Sequence, residues 1–163
     1  LGKDIVVNKA SMDPSDYAGD AWATAEENFV KWIPIGGGNG EKSELVAKQF
    51  AGTFDGQGHT ISGLYMKRGG YYLGLFGLLD LDGKSTIKNL KLTNSYFERI
   101  ATTKEPDIKI DGLGSIAGLG AGTLENIYSD VTLINRQSCT GGLVVSVSNH
   151  DAGTANLSVI NCC

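Results

Sequence analysis

Apolar residues in the middle and C-terminal parts of the chain come in short words, not in long stripes. Ile61-Ser62-Gly63-Leu64 is echoed by Ile87-Lys88-Asn89-Leu90, Leu124-Glu125-Asn126-Ile127 and Leu157-Ser158-Val159-Ile160. Each word holds two apolar residues three apart, and alternating apolar and polar positions run on from it, as in Tyr65-Met66 or Lys91-Leu92. Period-two alternation with a break in the middle predicts two short strands joined by a bend. Between these words stands a second one: Leu73-Gly74-Leu75-Phe76-Gly77, then Leu113-Gly114-Ser115-Ile116-Ala117-Gly118, then Thr140-Gly141-Gly142-Leu143-Val144-Val145. Two words alternating in fixed order, at intervals within the ~20–50 residues of repeat architectures, are the mark of a solenoid.

Each word supplies a strand too short to bury its own apolar face. Stacking the same word from the next coil at ~4.8 Å satisfies its backbone and covers that face. The expected fold is therefore all-β, a single-stranded parallel β-helix of about three to four coils, with Ile61, Ile87, Leu124 and Leu157 in one column. Asn89 and Asn126 take equivalent places at the bend, where stacked carboxamides hydrogen-bond along the pile as a structural ladder. Loops between words differ in length; Glu98 to Asp111 is long and contains Lys104-Glu105-Pro106-Asp107. Insertions of this kind fall on one side of a solenoid, commonly the binding side.

The N-terminal third reads differently. Ile5-Val6-Val7 within residues 1–8 predicts a strand lying against the first coil. Residues 9–48 read as an insertion or cap with a linker. Alanines and acidic residues from Asp13 to Glu27 suit a loop leading into a short helix capped near Asp20. Trp22, Phe29 and Trp32 are expected to cover an open end of the solenoid. The run Gly36-Gly37-Gly38-Asn39-Gly40 lacks the Gly-Lys-Ser/Thr ending of a phosphate loop and reads as an exposed linker. Residues 49–163 carry the coils, and the whole reads as one domain.

Composition sharpens this picture. Twenty-three glycines against three prolines in 163 residues favour many tight bends over long helices. Fourteen basic and 18 acidic residues leave a formal charge of −4 with no basic run, which argues against nucleic acid as a partner. No apolar stretch approaches the ~20 residues of a membrane span, so no membrane insertion by this segment is expected. Cys139, Cys162 and Cys163 lack metal-ligand spacing; they read as unpaired thiols, with Cys139 and Cys162 on neighbouring rungs as the alternative. Neither a metal nor a cofactor is expected.

Catalytic candidates are weak. Asp80-Leu81-Asp82-Gly83 holds two carboxylates before a turn but lacks the further oxygens of a calcium loop, so a solvated turn is expected; Asp107 and Asp111 are the other acidic pair. His59, one of two histidines with His150, lies in Asp55-Gly56-Gln57-Gly58-His59-Thr60, with no orienting partner in the local words. Asp55, Gly56, Gly58 and His59 therefore read as a structural turn in which Asp55 accepts backbone donors. Tyr65, Tyr71, Tyr72 and Tyr96, with Phe97 and Tyr128, would form a sugar-stacking platform if they line one face.

Taken together, Trp32-Ile33-Pro34-Ile35-Gly36, the stretch from Phe50 to Leu64, Gly74-Leu75-Phe76-Gly77 and Ile87-Lys88-Asn89-Leu90 resemble bacterial cell-surface proteins with GLUG-type repeats. That family includes adhesin-like proteins and the repeat regions of immunoglobulin A-cleaving metallopeptidases. The resemblance covers roughly residues 32 to 163. It departs at Gly142-Leu143-Val144-Val145, where a typical unit ends in Gly-Leu-Val-Gly. It implies a right-handed, pectate-lyase-like β-helix, exported to the cell surface or beyond. The abrupt stop at Cys163 suggests part of a longer chain, with neighbouring repeats as partners. The function expected is non-catalytic: adhesion or a rigid interaction scaffold, with a host glycan or protein as ligand. The alternative is an accessory segment of a polysaccharide-processing or immunoglobulin A-cleaving enzyme.

Overall fold

The structure, a computed structural model, describes residues 1–37, 47–100, 112–136, 139–145 and 156–163. Gly38 to Gly40, the Lys104 to Asp107 insertion, Asp111 and His150 lie outside the described residues. Among the described residues these elements follow in chain order: β1 (Ile5–Val6), α1 (Ala21–Asn28), β2 (Thr53–Asp55), β3 (Thr60–Ser62), β4 (Tyr65–Arg68), β5 (Tyr72–Leu73), β6 (Phe76–Leu78), β7 (Thr86–Arg99), β8 (Gly112–Gly114), β9 (Ala117–Leu119), β10 (Gly122–Asn135), β11 (Cys139–Gly141) and β12 (Leu157–Ile160). Among the described residues these strands pair in parallel and gather in three sheets. The largest runs β1-β3-β7-β10-β12, with β2 and β4 also on β7; the second runs β11-β8-β5; the third joins β6 to β9. Among the described residues the fold is all-β apart from α1, a short 3-10 turn at Pro14–Asp16 and a helical Ala47.

The order of visits explains how such short strands hold together. After β4 in the first sheet the chain passes to β5 in the second and β6 in the third, then returns to the first at β7. It repeats the tour through β8 and β9 to β10, and again through β11 and the Ala117–Val144 bridge to β12. Every strand thus meets its counterpart from the neighbouring circuit. The inward side chains of all three sheets share one core that includes Ile61, Leu64, Leu75, Phe76, Ile87, Leu92, Phe97, Leu113, Ile116 and Leu124. Fully burying an aliphatic side chain of this size contributes about 1.5–3 kcal/mol, so the shared core, not strand propensity, stabilises the assembly. The second word stacks on itself, with Leu73 on Leu113, Thr140 on Leu113, and Phe76 on Ala117. Gly118 is required at its place because a Cβ there would collide with the backbone of Tyr72 and Leu73.

The first word stacks in a different register from the one its echo suggests. Ile87 and Leu124 are indeed partners. Their column continues, however, to Phe54 on one side and Val159 on the other, while Ile61 pairs with Leu92 and Leu157 with Gly122. The cause lies in the bend. Asn89 turns the chain within one residue at φ 53°, whereas the equivalent corner of the preceding circuit uses the wider Gly56-Gln57-Gly58 turn. Thr53-Phe54-Asp55 is consequently the true counterpart of Thr86-Ile87-Lys88.

Residues before 49 also belong to the stack. β1 pairs with β3, Lys31 with Tyr65 and Ile35 with Phe76. The segment between Asn8 and Lys31 leaves this circuit as an excursion, and Asn8 closes its neck. Its side-chain amide donates to the Gly63 and Val30 carbonyls at 2.8 and 3.1 Å and accepts from the Val30 amide at 2.9 Å. Gly63 sits at φ 72°, pressed against the Asn8 backbone, where any Cβ would clash. Ala21, Ala23, Ala25, Glu26 and Glu27 are strong helix formers and account for α1. Asp20 occupies the N-cap, although its side chain makes no capping bond. The excursion lies on a flank of the stack instead of closing an end: Trp22, Phe29 and Met12 pack over Tyr65 and Tyr96. Trp32 packs on the main core and donates its indole N–H to the Leu75 carbonyl at 3.3 Å. Among the described residues no helix is long and apolar enough to cross a membrane.

Candidate functional site

At the single-residue bends, stacking converts a repeated asparagine into a continuous file. The Asn161 side-chain amide donates to Asn126 Oδ1 at 3.3 Å, Asn126 to Asn89 Oδ1 at 3.0 Å, and Asn89 to Asp55 Oδ1 at 3.1 Å. All three asparagines adopt positive φ. Asparagine tolerates that region because its short polar side chain finds a local partner. The file has a direction, with donors pointing toward Asp55, and the carboxylate ends it as a pure acceptor. Asp55 also accepts the Gln57 amide at 2.8 Å, and Lys88 Nζ lies 3.7 Å from its other oxygen. The Asn89 hydrogen bond first, then the Gln57 amide, hold its carboxyl below the usual carboxylate range.

Beside this file runs an open groove of about 340 Å³ lined by Gly58, Asn89 to Lys91, Asn126 to Tyr128, Asn161 and Cys163. It crosses β7, β10 and the C-terminal residues, three layers of chain. Leu90 and Ile127 close its floor from inside the core. Tyr128 stands in register beside Lys91, which is beside Thr60, and the residue is 46% exposed. Of the large hydrophobic side chains exposed among the described residues, it is the aromatic one.

The four tyrosines expected to form a sugar platform do not share an open face. Tyr65, Tyr72 and Tyr96 are buried, and Tyr71 is half-buried with its ring tilted against Tyr72. Tyr65 and Tyr96 stack on each other at 5.8 Å, beneath Trp22 and Phe29. The excursion that covers them was not legible in the local sequence. Burial pushes both phenols up, and hydrogen bonds with Glu26 and Glu98 respectively add to it. The Tyr96 hydroxyl donates to Glu98 Oε2 at 2.8 Å. Lys67 Nζ lies 3.0 Å from Glu26 and 3.6 Å from Glu98, tying α1 to β4 and β7. Burial pushes the Glu98 carboxyl up, but hydrogen bonds from Tyr96 and Arg136, with Lys67 nearby, outweigh it and leave it below its ordinary value.

The remaining polar candidates hold turns. His59 Nδ1 lies 3.1 Å from Asp4 Oδ1, and the His59 amide closes the turn onto the Gly56 carbonyl at 2.9 Å. Asp4 accepts the Thr60 amide at 2.9 Å; that bond, then the His59 contact, lowers its pKa. Asp80 is not solvated as expected: it is 2% exposed and accepts from the Lys84 amide and the Gln49 side chain at 2.9 and 3.0 Å. Asp82 remains outside, paired with Lys84 at 3.1 Å. The described residues contain no group of three or more His, Cys, Asp or Glu able to hold a metal. Cys139, Cys162 and Cys163 are free thiols.

No family model matches the chain, and no solved structure matches it significantly. It is similar to two much longer proteins. Over 130 residues it is 34% identical to halomucin of Haloquadratum walsbyi, a match covering 79% of this chain and 1% of halomucin. Over 101 residues it is 30% identical to a protein of Evansella cellulosilytica whose name describes a Gly-rich membrane protein, covering 61% of this chain and 10% of the relative. The chain therefore spans a small part of each relative.

Two residues of the groove escaped the sequence reading. Asn161 and Cys163 were hidden because Leu157-Ser158-Val159-Ile160 imitates the apolar spacing of the first word. The true frame is Val159-Ile160-Asn161-Cys162 over Leu124-Glu125-Asn126-Ile127. In that frame Cys162 takes the inward place of Ile127 and packs against the core. The signal that finds it is the asparagine, two residues after the apolar position that pairs across the stack.

Proposed function

We propose that this chain is a stretch of right-handed parallel β-helix acting as a rigid, non-catalytic scaffold in a protein displayed at or beyond the cell surface, akin to the GLUG-repeat, adhesin-like proteins it resembles. One observation carries the reading: the chain returns to three parallel sheets in constant order, with Phe54, Ile87, Leu124 and Val159 in one column beside the file Asp55, Asn89, Asn126, Asn161. Parallel crossover connections are right-handed in nearly all proteins, which supports a right-handed coil. A solenoid is stiff along its axis, since each turn is locked to both neighbours. Among the described residues the polar candidates hold structure, His59 and Asp4 beside β1, Asp55 at the end of the ladder and Asp80 in its own turn. Display at the envelope is supported by the resemblance and by the name of the Evansella relative, a Gly-rich membrane protein. The test is labelling of source cells with an antibody raised against this chain. Intact cells should bind it as strongly as permeabilised ones; binding that appears only after permeabilisation would overturn surface display.

A further inference from the structure

We infer that Asn156 is the acceptor of an N-linked sugar, in the motif Asn156-Leu157-Ser158. This goes beyond the scaffold reading and does not depend on it. Asn-x-Ser/Thr, with x other than proline, is the acceptor pattern of asparagine glycosylation, and it occurs once in the 163 residues. The structure sets this asparagine apart. From Asn8 at the neck to Asn161 in the ladder, every other asparagine among the described residues donates its side-chain amide to a protein acceptor. Asn156 is exposed, and among the described residues its side chain joins no hydrogen bond. Its backbone is held all the same, because its carbonyl accepts the Gly122 amide at 3.0 Å. The fold thus presents one carboxamide to solvent at a fixed place.

The neighbours complete the motif's geometry. Alternation puts residues two apart on one face of a strand, so Asn156 and Ser158 point outward together, both exposed, while Leu157 between them packs against the main core. The hydroxyl that the motif requires is on the carboxamide's side. Stacking does not hide it. Ser158 continues a column with Thr123, Thr86 and Thr53, and Thr86 and Thr123, each with strands paired on both sides, are still half-exposed. A further coil laid on β12 would cover its backbone edge and leave these outward side chains in solvent. A bulky, hydrated glycan is compatible with such a flank and with no inward position. In the transfer, Asn156 Nδ2 bonds to the anomeric carbon of a sugar activated as a phosphate or diphosphate ester. The bond from that carbon to the phosphate oxygen breaks, its electron pair leaves with the phosphate, and the amide nitrogen gives up one proton.

The protein is purified from its source cells and cleaved with trypsin, which releases a peptide that begins at Gln137, after Arg136, and holds Asn156. Electron-transfer fragmentation, which leaves sugars on their side chains, should place a mass increment of one or more sugar residues on Asn156. The same cells expressing Asn156→Gln or Ser158→Ala should yield this peptide without the increment, whereas Ser158→Thr, which keeps the hydroxyl, should retain it. Both positions are exposed, so the variants should keep the parent circular dichroism spectrum, and the measurement on the native protein needs no variant. A bare Asn156 in the native protein overturns the inference, as does an increment on Asn156 that survives Ser158→Ala. Neither result alters the antibody labelling of intact cells, so the two readings fail independently.

Discussion

Asn89 and Asn126 at φ 53° and Asn161 at φ 50° carry two duties that a substitution can separate, a left-handed bend and an amide-to-amide bond. Alanine at position 126 loses both. The left-handed region costs a Cβ-bearing residue about 1–2 kcal/mol, and each exposed hydrogen bond adds about 0.5 kcal/mol. Glycine loses only the bonds. Asn126→Ala should therefore destabilise by about 2 kcal/mol and Asn126→Gly by about 1 kcal/mol, read as urea midpoints at constant slope. Equal losses would show that backbone strain has no part in the choice of asparagine. Asp55 gives the file a titratable end. Its folded pKa lies below the ordinary 3.8, so the stabilisation it supplies is present above that value and is lost as pH falls through the folded pKa. A carbon-detected NMR titration should place its midpoint below 3.8, and Asn89→Ala should raise it. The asparagine period was readable in sequence because Asn89 and Asn126 sit in matching words. Asn161 was not, because a shifted leucine imitated the word's beginning.

At the scale of elements, the excursion between Asn8 and Lys31 decides what β4 and β7 present to solvent. Met66 and Phe97 point into the main core while Tyr65 and Tyr96 lie on the other side of the same strands, so Phe97 does not join the tyrosines on one face as expected. Nothing local announces that α1, in a segment remote in sequence, folds back over the outward pair, since that depends on where Asn8 pins the neck. Trp22 is the centre of the cover, in contact with Tyr17, Phe29, Tyr65 and Tyr96. Trp22→Ala should cost about 3 kcal/mol, the low end for a tryptophan truncation because the ring is only partly buried. It should also erase much of the near-ultraviolet dichroism. A loss below about 0.5 kcal/mol, the range of an ordinary surface change, would mean the cover is not packed. The two phenols supply a second check. Their pKa values are raised on folding, so above the ordinary value of 10 the unfolded state sheds protons first and stability falls as pH rises. Ultraviolet titration of the six tyrosines should show Tyr65 and Tyr96 ionising only as the fold opens; normal titration of all six would contradict their burial.

Across the whole molecule the consequence of layered pairing is a gradient of stability running from the middle of the stack to its edges. The order of words along the chain, legible in sequence, matches the order in which the strands pair in parallel. The register did not follow from it, because a two-part match such as Ile61 with Leu64 fits two alignments, and only the difference in bend size between Gly56-Gln57-Gly58 and Asn89 chooses between them. That register makes β7 the best-supported strand, paired with β2, β3 and β4 on one side and β10 on the other. β1 pairs over two residues and β12 over four, each on one side among the described strands. Val6 and Val159 remain about half exposed on them. Opening an edge strand breaks one interface, whereas exposing β7 requires breaking two, so amide exchange should be slowest in β7 and β10 and fastest in β1 and β12. Hydrogen exchange resolved by residue measures this directly. If β12 amides were as protected as those of β7, the edge would have to be covered by a second molecule, and that protection would fall on dilution. Protection that is equal across the sheet and independent of concentration would show instead that the strands open as one unit, against the neighbour-by-neighbour stacking from which the scaffold reading is built.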